Sequence, residues 1–182
     1  MGSGKSAVLE YLGELGAETL QADRIGHDQL REPEIRERVI ALLGESVRGE
    51  DGELDRKRVG ERVFADPELL RRYNELIHPP LLERLKAWLE RPRERIAAVE
   101  AALIPEWGIE DWFDEVWCVT ASDQAALRRW NGDEEIFWSI RKAQFAPPNK
   151  RAKAERVIDN ERSQEELRRR ISEEWRRFRS RG

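Results

Sequence analysis

The sequence has 182 residues, of which 38% are charged and 39% hydrophobic, and its formal net charge is −4. This length suits one domain with its own core, and the acidic balance argues against general nucleic-acid binding. No run approaches the ~20 apolar residues of a membrane helix, and no signal-peptide pattern opens the chain. A single cysteine cannot form an internal disulfide, so the expected compartment is the cytoplasm.

The chain opens with a glycine-rich stretch, Gly2-Ser3-Gly4-Lys5-Ser6, followed by helical spacing of apolar residues up to Leu15. This order is typical of the second half of a phosphate-binding loop, G-x-x-x-x-G-K-[ST], although short runs of this kind also occur as linkers. In such a loop the backbone amides face phosphates, the lysine reaches the β- and γ-phosphates, and the hydroxyl ligates Mg²⁺. The residues expected to bind ATP are Gly2, Ser3, Gly4, Lys5, Ser6 and Ala7, with Ser6 also a metal ligand.

The first glycine of the full loop pattern would stand upstream of Met1, as would the strand that normally precedes it. We expect the true start of the polypeptide roughly a dozen residues further upstream, the length of one strand plus the front of the loop.

The next part of the chain has mostly helical spacing. A short strand over 18–23 comes first. His78-Pro79-Pro80 is predicted to end a helix, because proline removes a backbone donor and clashes with the preceding turn. The predicted helices of this part cover 34–43, 55–64, 67–77 and 81–89.

Three near-continuous apolar runs of strand length lie in the second half of the chain, over 96–104, 115–120 and 156–160. Strands that are apolar on both faces and separated by helices indicate a parallel sheet covered on both sides. A capping box at Ser163 and Glu166 begins the last predicted helix. The predicted fold class is therefore α/β.

Five stretches, in order and at compatible spacing, resemble motifs of the dephospho-CoA kinase family, which are P-loop kinases. The resemblance runs nearly end to end. The stretches are the loop, QADRIGH at 21–27, LDRKRVGERVFADP at 54–67, LIHP at 76–79, and a closing set of Ala143-Gln144, Lys150 and RVIDN at 156–160.

The resemblance implies the reaction and the architecture. ATP would phosphorylate the 3′-hydroxyl of the ribose of dephospho-CoA, which completes coenzyme A synthesis. The implied fold is a P-loop NTPase-like three-layer sandwich, a single domain over 1–182 with its first strand missing. A helical CoA-binding part would cover about 28–90 and a lid about 128–150.

Asp23 matches the second aspartate of the family's D-A-D motif, which makes it the expected general base. Lys5 is the other expected catalytic residue, because it would hold the phosphates and neutralise their charge. The other interpretation of Asp23 is a helix N-cap. Gln21 stands in place of the first aspartate of that motif. Glu100, at the end of a predicted strand, is either a carboxylate near Mg²⁺ or the partner of an arginine.

The residues alone indicate a structural role for His78, as a packed turn residue, and a solvated position for Arg56. The resemblance places both on the substrate side, so for His78 the two interpretations stay open. The lid departs from the family pattern Q-x-x-R-L-x-x-R-[DN]-G, because Ala126 and Trp130 stand where it has arginines. The expected lid arginines are Arg128, Arg129 and Arg141.

Three functions are therefore compared. The first is a dephospho-CoA kinase, a monomer or small homo-oligomer that acts on small molecules and not on nucleic acid or membranes. The second is a non-catalytic homologue that binds nucleotide or CoA, which Gln21 and Trp130 favour. The third is another small-molecule P-loop kinase, which fits the LDR and IHP stretches less well.

Overall fold

The computed structural model describes residues 2–143 and 147–181, so Gln144 of the closing family-like stretch lies outside the described residues. The chain divides into two compact units. The first comprises Met1–Leu20 and Glu94–Gly182, and the second comprises Gln21–Arg93. Within the described residues, no helix combines the length and apolar character needed to cross a membrane.

Helices dominate both units. Short 3₁₀ turns at Glu45–Val47 and Glu110–Trp112 join some of them. The α-helices are α1 (Lys5–Glu14), α2 (Ala22–Leu30), α3 (Pro33–Leu43), α4 (Arg56–Ala65), α5 (Pro67–Leu89), α6 (Ile104–Trp107), α7 (Asp123–Arg128), α8 (Glu134–Ala143), α9 (Pro147–Ala152) and α10 (Gln164–Arg179).

The strands are short and form two pairs. They are β1 (Glu18–Gln21), β2 (Ala97–Glu100), β3 (Trp117–Thr120) and β4 (Arg156–Asp159). β1 is hydrogen-bonded to β2, and β3 pairs in parallel with β4. The predicted α/β class with parallel strands is confirmed.

The predicted strand over 96–104 is too long. β2 ends at Glu100, and α6 begins at Ile104 with Pro105 in its first turn. Proline is favoured there because its missing N–H has no partner within the helix and its φ is already helical.

The core of the first unit lies between α1 and α10. Val8 and Tyr11 of α1 cluster with Ile158 of β4 and with Leu167 and Ile171 of α10. The predicted N-cap of α10 is confirmed, since the Ser163 hydroxyl accepts a hydrogen bond from the Glu166 amide at 3.3 Å. This packing fixes α1 against β4 and α10, and it thereby positions the glycine-rich stretch that precedes α1.

A groove of about 130 Å³ lies between β2 and β3. Its walls are mainly apolar and include Val99 of β2, Trp117 of β3, Leu9 of α1 and Phe178 of α10. In the described part of the chain the two strand pairs are separate sheets, so β2 and β3 each have one edge without a paired strand.

The prediction that His78-Pro79-Pro80 ends a helix is wrong, because α5 runs through both prolines from Pro67 to Leu89. α5 packs against α2, α3 and α4, so its continuation buries apolar surface that a break would expose. The fully buried Gln29 of α2 also donates from Nε2 to the carbonyl of Ile77 at 2.8 Å, beside the prolines. Tertiary packing thus outweighs a penalty of about 3 kcal/mol for an interior proline.

Candidate functional site

The glycine-rich stretch forms a tight loop at the start of α1. Gly2 and Gly4 have φ values of +65° and +94°, in the left-handed region that favours glycine. The Val8 amide donates to the Gly4 carbonyl at 3.1 Å, so α1 begins directly after the loop. Free amides at a helix N-terminus and the positive end of its dipole suit an anion.

The loop is held against the carboxyl end of β4 by two polar side chains. Nδ2 of the buried Asn160 donates to the Ser3 carbonyl at 2.8 Å. The Arg129 guanidinium donates to the carbonyls of Gly2 at 3.3 Å and Asn160 at 3.0 Å. The backbone amide of Asn160 in turn donates to the backbone carbonyl of Thr120, the last residue of β3, at 2.8 Å.

We expect Gly4→Ala to weaken ATP binding by about tenfold or more. A Cβ on Gly4 would lie 2.1 Å from Nδ2 of Asn160, so Asn160 must move and lose its bond to Ser3. Strain of about 1–3 kcal/mol at such a site corresponds to about tenfold or more in affinity. Calorimetric titration with ATP measures this change.

Gly16→Ala is the matched control for this variant. Gly16 has φ +100°, but nothing lies within 4 Å of its added Cβ. It therefore carries the backbone strain without the collision, and we expect lower stability with unchanged ATP affinity. Equal ATP dissociation constants for the two variants would contradict the role given to Asn160.

Lys5, Ser6 and Glu100 come together below the loop. The Ser6 hydroxyl donates to Oε2 of Glu100 at 3.0 Å, and Nζ of Lys5 lies 3.9 Å from Oε1 of the same carboxylate. Glu100 is the last residue of β2. Glu100 therefore lies beside the Ser6 hydroxyl, and the cation next to its carboxylate is Lys5 and not an arginine.

A cleft of about 100 Å³ next to the loop is lined by three cationic side chains, Lys5, Arg141 and Lys150. Nζ of Lys150 lies 2.6 Å from the Ala102 carbonyl and 2.8 Å from a Glu106 carboxylate oxygen. The three cations make the cleft attractive to a polyphosphate.

The three expected lid arginines lie in different surroundings. Arg129 binds loop carbonyls, Arg141 lines the cleft and pairs with Asp123, and Arg128 is exposed. Sequence reasoning missed Asp123 as the partner of Arg141 and Asn160 as the clamp on the loop. The RVIDN stretch contains Asn160, which was the available signal.

Trp130, which stands where the family pattern has an arginine, packs within the first unit. Its ring centroid lies 6.2 Å from that of the fully buried Phe137, and its Nε1 donates to the Asp133 carbonyl at 2.9 Å. The ring also covers Gly132, where a Cβ would lie 2.7 Å from the indole. Trp130 therefore stabilises the turn before α8.

Cys118 of β3 also lines the cleft. It is half-buried, and burial raises the pKa of its thiol above the ordinary value. A thiol whose pKa is raised in this way is a poor nucleophile at neutral pH.

In the second unit, Asp23 is exposed and lies in the first turn of α2. The N-cap of α2 is Gln21, so the interpretation of Asp23 as an N-cap is wrong. One turn further along, Nε2 of His27 lies 2.5 Å from Nη2 of Arg56, the first residue of α4. His27 is a residue of this cluster that sequence reasoning did not assign, although it belongs to the quoted QADRIGH stretch.

His78 lies within α5 and is half-buried, and burial lowers the pKa of its imidazole below the ordinary value. It is a helical residue and not a turn residue, so the alternative of a packed turn histidine is wrong.

The described fold has parallel strands and a glycine loop at the N-terminus of α1. Lys5 and Ser6 contact the Glu100 carboxylate directly after that loop. These features are typical of α/β proteins with a phosphate-binding loop. A model of the dephospho-CoA kinase family matches residues 1–166. The chain belongs to this family, as the sequence motifs indicate.

Individual relatives agree with this assignment. The chain is 38% identical over 132 residues to a dephospho-CoA kinase of Dehalococcoides mccartyi, covering 71% of this chain and 67% of that one. It is 35% identical over 181 residues to a dephospho-CoA kinase of Geobacter sulfurreducens, covering 95% and 92%. A crystal structure of TT1252 from Thermus thermophilus superposes with a TM-score of 0.76 at 30% identity, covering 97% of this chain and 93% of that one.

Proposed function

We propose that this protein transfers the γ-phosphoryl group of ATP to the 3′-hydroxyl of the ribose of dephospho-CoA, giving ADP and CoA in the last step of coenzyme A synthesis. Membership of the dephospho-CoA kinase family supports this reaction. The structural observation that carries it is the loop at residues 2–6, with Lys5 and Ser6 both in contact with Glu100.

ATP binding is assigned to the first unit. The amides of Gly2–Ala7 and the start of α1 would bind the β- and γ-phosphates, and Lys5 would neutralise charge that develops during transfer. Arg141 and Lys150 line the adjoining cleft and supply further positive charge. Holding the phosphates in line for transfer is the main task of a protein in this chemistry.

Mg²⁺ fits the oxygen atoms beside the loop. Among the described residues, no group of three or more His, Cys, Asp or Glu side chains forms a metal site. Ser6 and Glu100 nevertheless place a hydroxyl and a carboxylate oxygen 3.0 Å apart, and Mg²⁺ prefers a few such protein ligands plus substrate phosphates and water. When bound there, the ion would neutralise phosphate charge.

The acceptor is assigned to residues of the second unit. Asp23 would accept the proton of the ribose hydroxyl, since it is exposed and the N-cap role falls to Gln21. Arg56 and His78 would contact the substrate. The helical segment at about 28–90 would bind CoA, and this whole range lies within the second unit.

The lid is assigned to about residues 128–150. Arg141 pairs with Asp123 in this structure, and on ATP binding it would exchange that carboxylate for a phosphate. Arg129 would keep the loop in shape through the Gly2 carbonyl. We further propose a cytoplasmic enzyme that acts as a monomer or small homo-oligomer.

A non-catalytic homologue is the second candidate, and the packing of Trp130 against Phe137 favours it because an arginine of the family pattern is absent there. The deciding experiment incubates the protein with ATP, Mg²⁺ and dephospho-CoA and separates CoA from dephospho-CoA by chromatography. We expect one CoA for each ADP. ATP binding without CoA formation would establish the second candidate, and preferential use of adenosine or pantetheine would indicate a different small-molecule kinase.

A further inference from the structure

The contact between His27 and Arg56 joins Nε2 of the imidazole to Nη2 of the guanidinium at 2.5 Å. A guanidinium has only donor N–H groups, so a hydrogen bond at this contact needs Nε2 of His27 as its acceptor. Such a bond requires a neutral imidazole with its proton on Nδ1. An added proton would remove the acceptor and place a second positive charge against Arg56.

Burial and the charged groups around His27 together lower the pKa of its imidazole. Burial is the largest cause that lowers the pKa of His27 below 6.5, and the positive charge of Arg56 is the second. Arg31 makes a smaller contribution in the same direction. Asp23 and Asp28 oppose this shift. From α5, the buried Tyr73 faces Arg56 and is uncharged, because burial raises the pKa of its phenol to about 12.

Arg56 is held by a neutral partner and not by a carboxylate. It is exposed, and among the described residues no Asp or Glu lies at ion-pair distance from it. The neighbouring Asp55 instead caps α4 by accepting from the amides of Lys57 at 3.0 Å and Arg58 at 3.2 Å. An arginine fixed by an uncharged base keeps its full positive charge for an anion.

We propose that His27 is a positioning residue whose neutral imidazole orients the Arg56 guanidinium toward a phosphate group of dephospho-CoA, and whose protonation releases it. This inference rests on the proposed function and on Arg56 as a substrate contact. Its consequence is that dephospho-CoA affinity falls as the pH decreases through the pKa of His27, whereas ATP affinity does not follow that titration.

The first test reads the histidine directly and needs no turnover. In protein labelled with ¹⁵N-histidine, NMR should show His27 with its proton on Nδ1, and Arg56→Ala should raise the pKa of His27 by removing a neighbouring positive charge. A His27 protonated on Nε2 at pH 7.5, or a pKa unchanged in Arg56→Ala, would overturn the proposal.

The second test measures dephospho-CoA binding by calorimetry at pH 7.5 and pH 5.0 for the wild type, His27→Gln and His27→Phe. The glutamine carbonyl keeps an acceptor that does not titrate, so we expect near-wild-type affinity with little difference between the two pH values. The phenylalanine lacks the acceptor and should bind about tenfold more weakly at pH 7.5. The wild type should resemble His27→Gln at pH 7.5, and its affinity should fall toward that of His27→Phe as the pH is lowered through the pKa that NMR gives for His27.

Equal pH dependence in the wild type and His27→Gln would overturn the inference, as would dephospho-CoA binding that is unaffected by Arg56→Ala. Failure of the proposed function gives a different result. In that case no CoA forms in the turnover assay, while the histidine titration and the binding measurements still decide the role of His27.

Discussion

Replacing Lys5 by alanine should lower kcat/KM by about a thousandfold. The side chain lies 3.9 Å from Glu100 at the start of α1 and lines the cationic cleft, so it is placed to neutralise charge on the transferring phosphoryl group. Removal of one preorganised electrostatic contact lowers kcat by about 10²–10³-fold, and a charged group at a phosphoryl centre belongs at the upper end of that range. Steady-state kinetics with ATP and dephospho-CoA measure the effect.

Lys153→Ala is the control for this prediction. Lys153 also belongs to the first unit and also pairs with a glutamate, Glu110 at 2.5 Å, but it is exposed. Its replacement removes a lysine and an ion pair without touching the loop, so kinetics should remain near wild type. Comparable kinetics for Lys5→Ala and the wild type would refute the assignment of the loop.

Replacing Asp23 by asparagine should lower kcat by about 10²–10⁴-fold with little change in the KM for ATP. The amide has nearly the same shape but cannot accept the proton of the ribose hydroxyl, and general-base catalysis contributes about this factor. The fold should persist, because the side chain is exposed and a carboxylate in the first turn of a helix stabilises it by only about 0.3–1 kcal/mol.

The matched variant is Asp28→Asn, since Asp28 is exposed on the same helix and pairs with Arg31. It makes the same chemical change one turn and a half away, and kcat should be retained. If Asp23→Asn keeps full activity with intact helical circular dichroism, another group or water takes the proton, and Asp23 serves only the helix terminus.

Local signals in the sequence predicted much of the first unit. The loop glycines need positive φ, and the apolar spacing after Lys5 gives a helix, so α1 begins where the pattern indicates. The Ser163 cap is equally local. These features depend on residues close together along the chain, which explains why they were predictable.

Other features depend on distant parts of the chain. Asn160 bonds to the Ser3 carbonyl across a separation of 157 residues, which no local pattern reveals. The passage of α5 through Pro79 and Pro80 depends on packing against α2, α3 and α4. The contact of His27 with Arg56 likewise joins two helices, so the QADRIGH and LDR stretches did not indicate that they meet.

The expected strand in front of the loop stays a prediction. The apolar groove is lined by β2 and β3, and in the described part of the chain each of these strands has one edge without a paired strand.

The groove also separates the two strand pairs of the first unit. In the described part of the chain no strand pairing crosses it, so the backbone ladders of β1–β2 and β3–β4 do not reinforce one another. α1 packs against both β2 and α10, so it connects the β1–β2 pair to the core that contains β4. The two strand pairs are therefore joined by side-chain packing through α1, and not by backbone hydrogen bonds between strands of the described residues.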